Sequence, residues 1–101
     1  MSLSNAELQA TSNELHQNFE LAGLTPDEIC ADLGISRGGL DEILQVAPAK
    51  PEDVWMLRDY LELAVTDRGL TPAPYSALTP SMRSQAARWF PLHPPVRPTR
   101  P

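Results

Sequence analysis

Gly34 separates two short segments of helical periodicity, and the chain around it has little freedom to fold any other way. Thr25 can cap a helix that opens on Pro26-Asp27-Glu28, with Glu28 placed to close a capping box. Ile29, Cys30 and Leu33 then share one face, and Gly34 supplies the left-handed turn that a residue with a Cβ resists. Ser36 can cap a second helix whose Leu40, Ile43 and Leu44 point inward. The spacing predicts helices over 26–33 and 37–46, meeting as a helix-turn-helix at 25–46.

The same punctuation organises the rest of the chain. Ser4-Asn5-Ala6-Glu7 is another capping box, followed by Leu8, Ser12, Leu15, Phe19 and Ala22 at helical spacing and stopped by Gly23. Pro48 and Pro51 make a connector of residues 46–51. A further helix should run from Pro51 or Glu52 to Arg68, with Val54, Leu57, Leu61, Ala64 and Val65 as its core stripe, widened by Trp55, Tyr60 and Leu63. Thr71-Pro72-Ala73-Pro74-Tyr75 must run extended, and Tyr75 is placed to clamp it to the body. Thr79-Pro80 then opens a short helix that Met82, Ala86, Trp89 and Phe90 could dock. The expected fold is all-α: a compact helical domain of about five helices over 1–90, then an extended, flexible, basic Pro-rich tail over 91–101.

Charge is divided unevenly. All 13 acidic residues lie within 1–67, beside only Arg37, Lys50 and Arg58, whereas 68–101 carry Arg68, Arg83, Arg88, Arg97 and Arg100 with no acid. Such asymmetry fits a basic end lying against an acidic body, or a binding tail. No apolar stretch is long enough for a membrane span, and the N-terminus lacks the basic-then-apolar order of a signal peptide. A lone cysteine forms no internal disulfide, which suits a reducing cytoplasm.

The runs NFELAGLTPDEICADLGIS (18–36), VWMLRDYL (54–61), GLTPAPYSAL (69–78) and RWFPL (88–92) resemble a small bacterial family described only as domains of unknown function with a helix-turn-helix-like core. The resemblance covers most of residues 4–92. It implies an all-helical bacterial protein and brings no catalytic residues. The Pro-rich end after Leu92 departs from the family's pattern.

A helix-turn-helix reads DNA through exposed residues near the start of its second helix. Here Arg37 could take guanine, Gln45 adenine, and Ser36 a phosphate. Arg97 and Arg100 could form a basic arm, with Arg83 and Arg88 behind them. Asp41 and Glu42 on that helix oppose a polyanion, as do Asp27, Glu28 and Asp32 on the helix before it. The expected function is a DNA-binding transcriptional regulator, because that names a testable mechanism, and the alternative is a protein-interaction or dimerisation module in which Asp41 and Glu42 meet a basic partner. Burial of those two carboxylates against arginines would favour the second. A homodimer is compatible with the near-heptad stripe of the first helix.

Nothing in the pattern suggests catalysis, a cofactor or a small-molecule substrate. Cys30 reads as packing rather than as a redox centre, and no His or second Cys stands at metal-ligand spacing. His16 and His93 lack the neighbours of a triad, and the acidic pairs read as helix-start charges. Arg58 reads as an i,i+4 partner of Glu62 with Trp55 beneath it, or else as an anchor for another subunit.

Overall fold

Hydroxyl side chains set the starts of the first three helices of this chain, whose computed structural model describes residues 4–46 and 49–89. The Ser4 hydroxyl accepts from the Glu7 N–H at 3.2 Å while the Glu7 carboxylate accepts from the Ser4 N–H at 2.9 Å, opening α1 (Asn5–Ala22). Thr25 and Glu28 repeat the exchange at 3.2 and 2.8 Å and open α2 (Pro26–Leu33). The Ser36 hydroxyl accepts from the Gly39 N–H at 2.9 Å at the head of α3 (Arg37–Leu44). The two longer-range elements follow: α4 (Pro51–Asp67) begins on a proline, and α5 (Pro80–Trp89) closes the described chain. Among the described residues there is no strand.

Gly34 carries φ +70, and its N–H donates to the Cys30 carbonyl at 2.8 Å, so α2 ends where the sequence requires. A Cβ on Gly34 would meet nothing within 4 Å. The cost of Gly34→Ala is therefore a backbone cost, expected at about 1–2 kcal/mol in urea unfolding. A larger loss would mean that the turn does more than reverse the chain.

The stop of α3 differs from expectation. The helix ends at Leu44 rather than at 46, because Val46 turns left-handed at φ 72. A β-branched residue there is strained by about 1–3 kcal/mol, and the offset is the burial of its side chain at 6% exposure.

Helix α4 is central. It packs along α1 and against α3, and α2 packs on α3. Val54, Trp55, Leu57, Tyr60, Leu61, Ala64 and Val65 of α4 are buried against Leu15 and Ala22 of α1, Ile29 of α2, and Leu40, Ile43 and Leu44 of α3. The Tyr60 ring is fully buried, and its hydroxyl donates to the Asp32 carboxylate at 2.6 Å, tying the end of α2 to the middle of α4.

The inward face of α1 is rotated from the one expected. Thr11, Leu15, Asn18 and Ala22 are the buried residues, whereas Leu8, Ser12 and Phe19 are only half-buried. Both stripes have helical spacing, and the one containing two polar residues goes inside. In α5, Ala86 is buried and Met82 packs on the core as expected; the docking expected of the Trp89 side chain and of Phe90, like the tail over 91–101, lies outside the described residues.

Candidate interaction surface

Capping decides which residues α3 shows to solvent. Because Ser36 must sit at the cap with Leu40, Ile43 and Leu44 inward, Arg37, Gly38, Asp41, Glu42 and Gln45 fall on the opposite face, and all are exposed, as is Ser36. Five of the sequence candidates (Ser36, Arg37, Asp41, Glu42, Gln45) thus share one exposed face. Arg97 and Arg100 lie outside the described residues.

The functional groups on that face are already partly committed. The Ser36 hydroxyl is the acceptor of its own cap. Arg37 Nη1 donates to the Asp27 carboxylate of α2 at 3.1 Å, with both side chains mostly in water. Such an exposed pair contributes little to stability. Asp41 and Glu42 reach solvent and are not buried against arginines of the described chain, so the burial that would favour the interaction reading is not found within it, and both carboxylates stay open to an outside charge. Behind the face, burial pushes the Cys30 thiol above its ordinary range, with Arg37 opposing. That favours the protonated, unreactive form.

Arg58 is placed elsewhere. It is 6% exposed, and its guanidinium is occupied inside the chain: Nε donates to the Leu78 carbonyl at 3.1 Å, and Nη1 contacts the carboxylates of Asp59 at 3.2 Å and Glu62 at 3.0 Å. Its plane lies 4.9 Å from the Tyr75 ring centroid and 5.7 Å from that of Trp55. The expected pairing with Glu62 and stacking on Trp55 are both present, and this residue faces the core rather than a partner.

Around Arg58 lies a second cluster that the sequence did not announce. Residues 70–79 cross the body as an extended strap, and polar side chains hold its backbone. Asn18 grips Ala73 twice, its carboxamide oxygen accepting from the Ala73 N–H at 2.8 Å and its amide donating to the Ala73 carbonyl at 3.1 Å. The Glu14 carboxylate accepts from the Ser76 N–H at 3.1 Å and from its hydroxyl at 2.8 Å. Asp59, itself buried, takes Arg83 of α5 as a second cation, and Arg83 stacks on Trp55 at 4.9 Å. Tyr75 is buried beneath the strap, as expected of a clamp. Glu14, Asn18 and Asp59 carry no signal of this role in the sequence beyond the helical repeat of Thr11, Leu15, Asn18 and Ala22, and Arg83, expected behind a basic arm, is instead paired inside the chain.

Burial pushes the Tyr75 phenol well above its ordinary 10.0, with Arg58 opposing only in part. A tyrosine whose folded pKa is raised keeps its proton while the unfolded chain loses one, so stability should decline as pH climbs past about 10. Urea unfolding with Tyr75→Phe should show a shallower decline; equal slopes would separate Tyr75 from the effect.

An open groove of about 450 Å³ runs between α4 and the strap, lined by Arg58, Glu62, Thr66, Pro72–Tyr75 and Thr79. Among the described residues, no three His, Cys, Asp or Glu are grouped to hold a metal ion, and no helix is long and apolar enough to cross a membrane.

Comparison with curated proteins and with solved structures gives no match. A family model described as "Uncharacterized protein conserved in bacteria (DUF2316)" matches residues 1–91. That match spans most of the sequence, and this chain, whose described residues carry five helices, belongs to that bacterial family.

Proposed function

We propose that this protein is a non-catalytic, cytoplasmic binding module that works through its exposed α2–α3 face, a helix-turn-helix in outline, and that its partner is a basic protein segment rather than duplex DNA. The observation that carries this reading is the sign of the exposed charge. Asp27, Asp41 and Glu42 stand in solvent, while the one cation at the head of α3, Arg37, is paired to Asp27. Duplex affinity comes largely from cations that neutralise phosphates. Carboxylates at two of the positions that would enter a groove oppose it. A basic polypeptide meets the same carboxylates favourably.

Regulatory DNA binding is the second reading, supported by the exposure of Ser36, Arg37 and Gly38 at the start of α3, where a recognition helix makes its base contacts. Fluorescence anisotropy separates the two. With a labelled random duplex at about 50 mM salt, a flat titration to micromolar protein is expected; binding that collapses by about 200 mM would establish the DNA reading instead. With a labelled arginine-rich peptide, salt-sensitive binding is expected, weakened several-fold by Asp41→Asn with Glu42→Gln. A peptide titration indifferent to those substitutions would remove the acidic face from the account.

A further inference from the structure

The strap and α5 join the core through a few apolar side chains and are held besides by polar clamps. Helices α1–α4 pack through Leu15, Ile29, Leu40, Leu57, Tyr60 and Leu61, all fully or almost fully buried. Residues 70–89 add Tyr75, Leu78 and Ala86 to that core, with Met82 packed against it, and are further fastened by side chains that read backbone or charge. Asn18 takes both backbone groups of Ala73, Glu14 takes the N–H of Ser76, Arg58 takes the carbonyl of Leu78, and Asp59 takes Arg83. The surface of α1 and α4 beneath this arm is therefore a groove built to receive an extended, proline-containing peptide with an aromatic residue under Arg58. In the single chain, its occupant is the chain's own arm.

We propose that this groove also receives the arm of a second copy, so that two chains form a dimer by exchanging residues 70–89. The occupant is identified by fit, since every clamp made within one chain is reproduced when an identical arm arrives from another. Charge favours the encounter: past the hinge the donated chain carries Arg83, Arg88, Arg97 and Arg100 and no acid, and the receiving body holds all 13 acidic residues. The hinge is the turn after α4. Gly69 has φ +78, its N–H donates to the Thr66 carbonyl at 2.9 Å, and the Leu70 N–H donates to that of Val65 at 3.2 Å. Opening this turn lets α4 lead straight into the strap, which Pro72 and Pro74 already keep extended. The inference does not depend on what α3 binds.

A Cβ at Gly69 would meet nothing within 4 Å, so Gly69→Val loads the turn and no other contact. A β-branched residue at that φ opposes the closed turn and not the opened one, and dimerisation should tighten by about tenfold for each of the two turns opened, about a hundredfold in all. Sedimentation velocity should show a wild-type dimer fraction that grows toward millimolar protein and a larger one for Gly69→Val. The arrangement is read by mixing ¹⁵N chains with unlabelled chains carrying a spin label at Ser81→Cys in a Cys30→Ala background. Broadening of the Asn18 side-chain amide and the Trp55 indole in the ¹⁵N chain is expected, because those groups would lie under the other copy's arm. Should Gly69→Val fail to fold, the wild-type mixture decides alone. Strictly monomeric protein at millimolar concentration, or a dimer that leaves Asn18 and Trp55 sharp, would overturn the proposal.

Discussion

Arg58→Ala is expected to destabilise the fold by about 3–5 kcal/mol, the range for breaking a buried ion pair by removing one partner. The substitution leaves the Leu78 carbonyl without its donor and Asp59 with Arg83 as its remaining arginine, and it removes the cation stacked on Tyr75. Read from sequence, the same residue is an i,i+4 partner of Glu62 worth about 0.3–0.5 kcal/mol. Burial decides between the two magnitudes: at 6% exposure the guanidinium cannot fall back on water. Arg58→Lys should recover only part of the loss, because an ammonium cannot present the fork of donors that reaches Leu78 and the carboxylates together. Urea unfolding of the two variants beside wild type checks the claim. A loss below about 1 kcal/mol for Arg58→Ala would assign the site to ordinary surface pairing.

Asn18→Leu should cost about 2–4 kcal/mol even though leucine has the same branched arrangement of side-chain heavy atoms and suits a buried helix face. Two backbone groups of Ala73 lose their partners at once, and each such group left unsatisfied costs about 1–3 kcal/mol. The damage should be local as well as global. Amide exchange over residues 73–78 should accelerate well beyond that of α4, since the strap loses its central clamp while the helix core keeps its packing. Uniform acceleration across strap and helices would show that the strap does not open separately.

These two residues also mark where reading the sequence stops being sufficient. Helix α1 has two stripes at helical spacing, one through Leu8, Ser12 and Phe19, the other through Thr11 and Asn18, with Leu15 and Ala22 common to both. Hydrophobicity favours the first, and the structure buries the second. The reason is that Asn18 answers to a backbone rather than to a side chain. A peptide group has no signature in the sequence, because every residue but proline carries the same N–H and C=O. Arg58 was legible in part: its pairing with Glu62 is local and visible at i,i+4, but its burial depends on Leu78 and Tyr75 crossing over it from another element. The outward residues of α3 were fully legible, because the Ser36 cap and the apolar triplet Leu40, Ile43 and Leu44 leave them one face to occupy.

By itself, the sequence determined where helices begin and how α2 gives way to α3. Ser4, Thr25 and Ser36 bond to groups three residues ahead, and Gly34 needs only its own backbone to turn. Tertiary structure alone decided that Glu14, Asn18, Arg58 and Asp59 would serve as clamps for the C-terminal arm. Asn18 meets Ala73 across 55 residues and Glu14 meets Ser76 across 62, and no local preference encodes a partner that far along the chain.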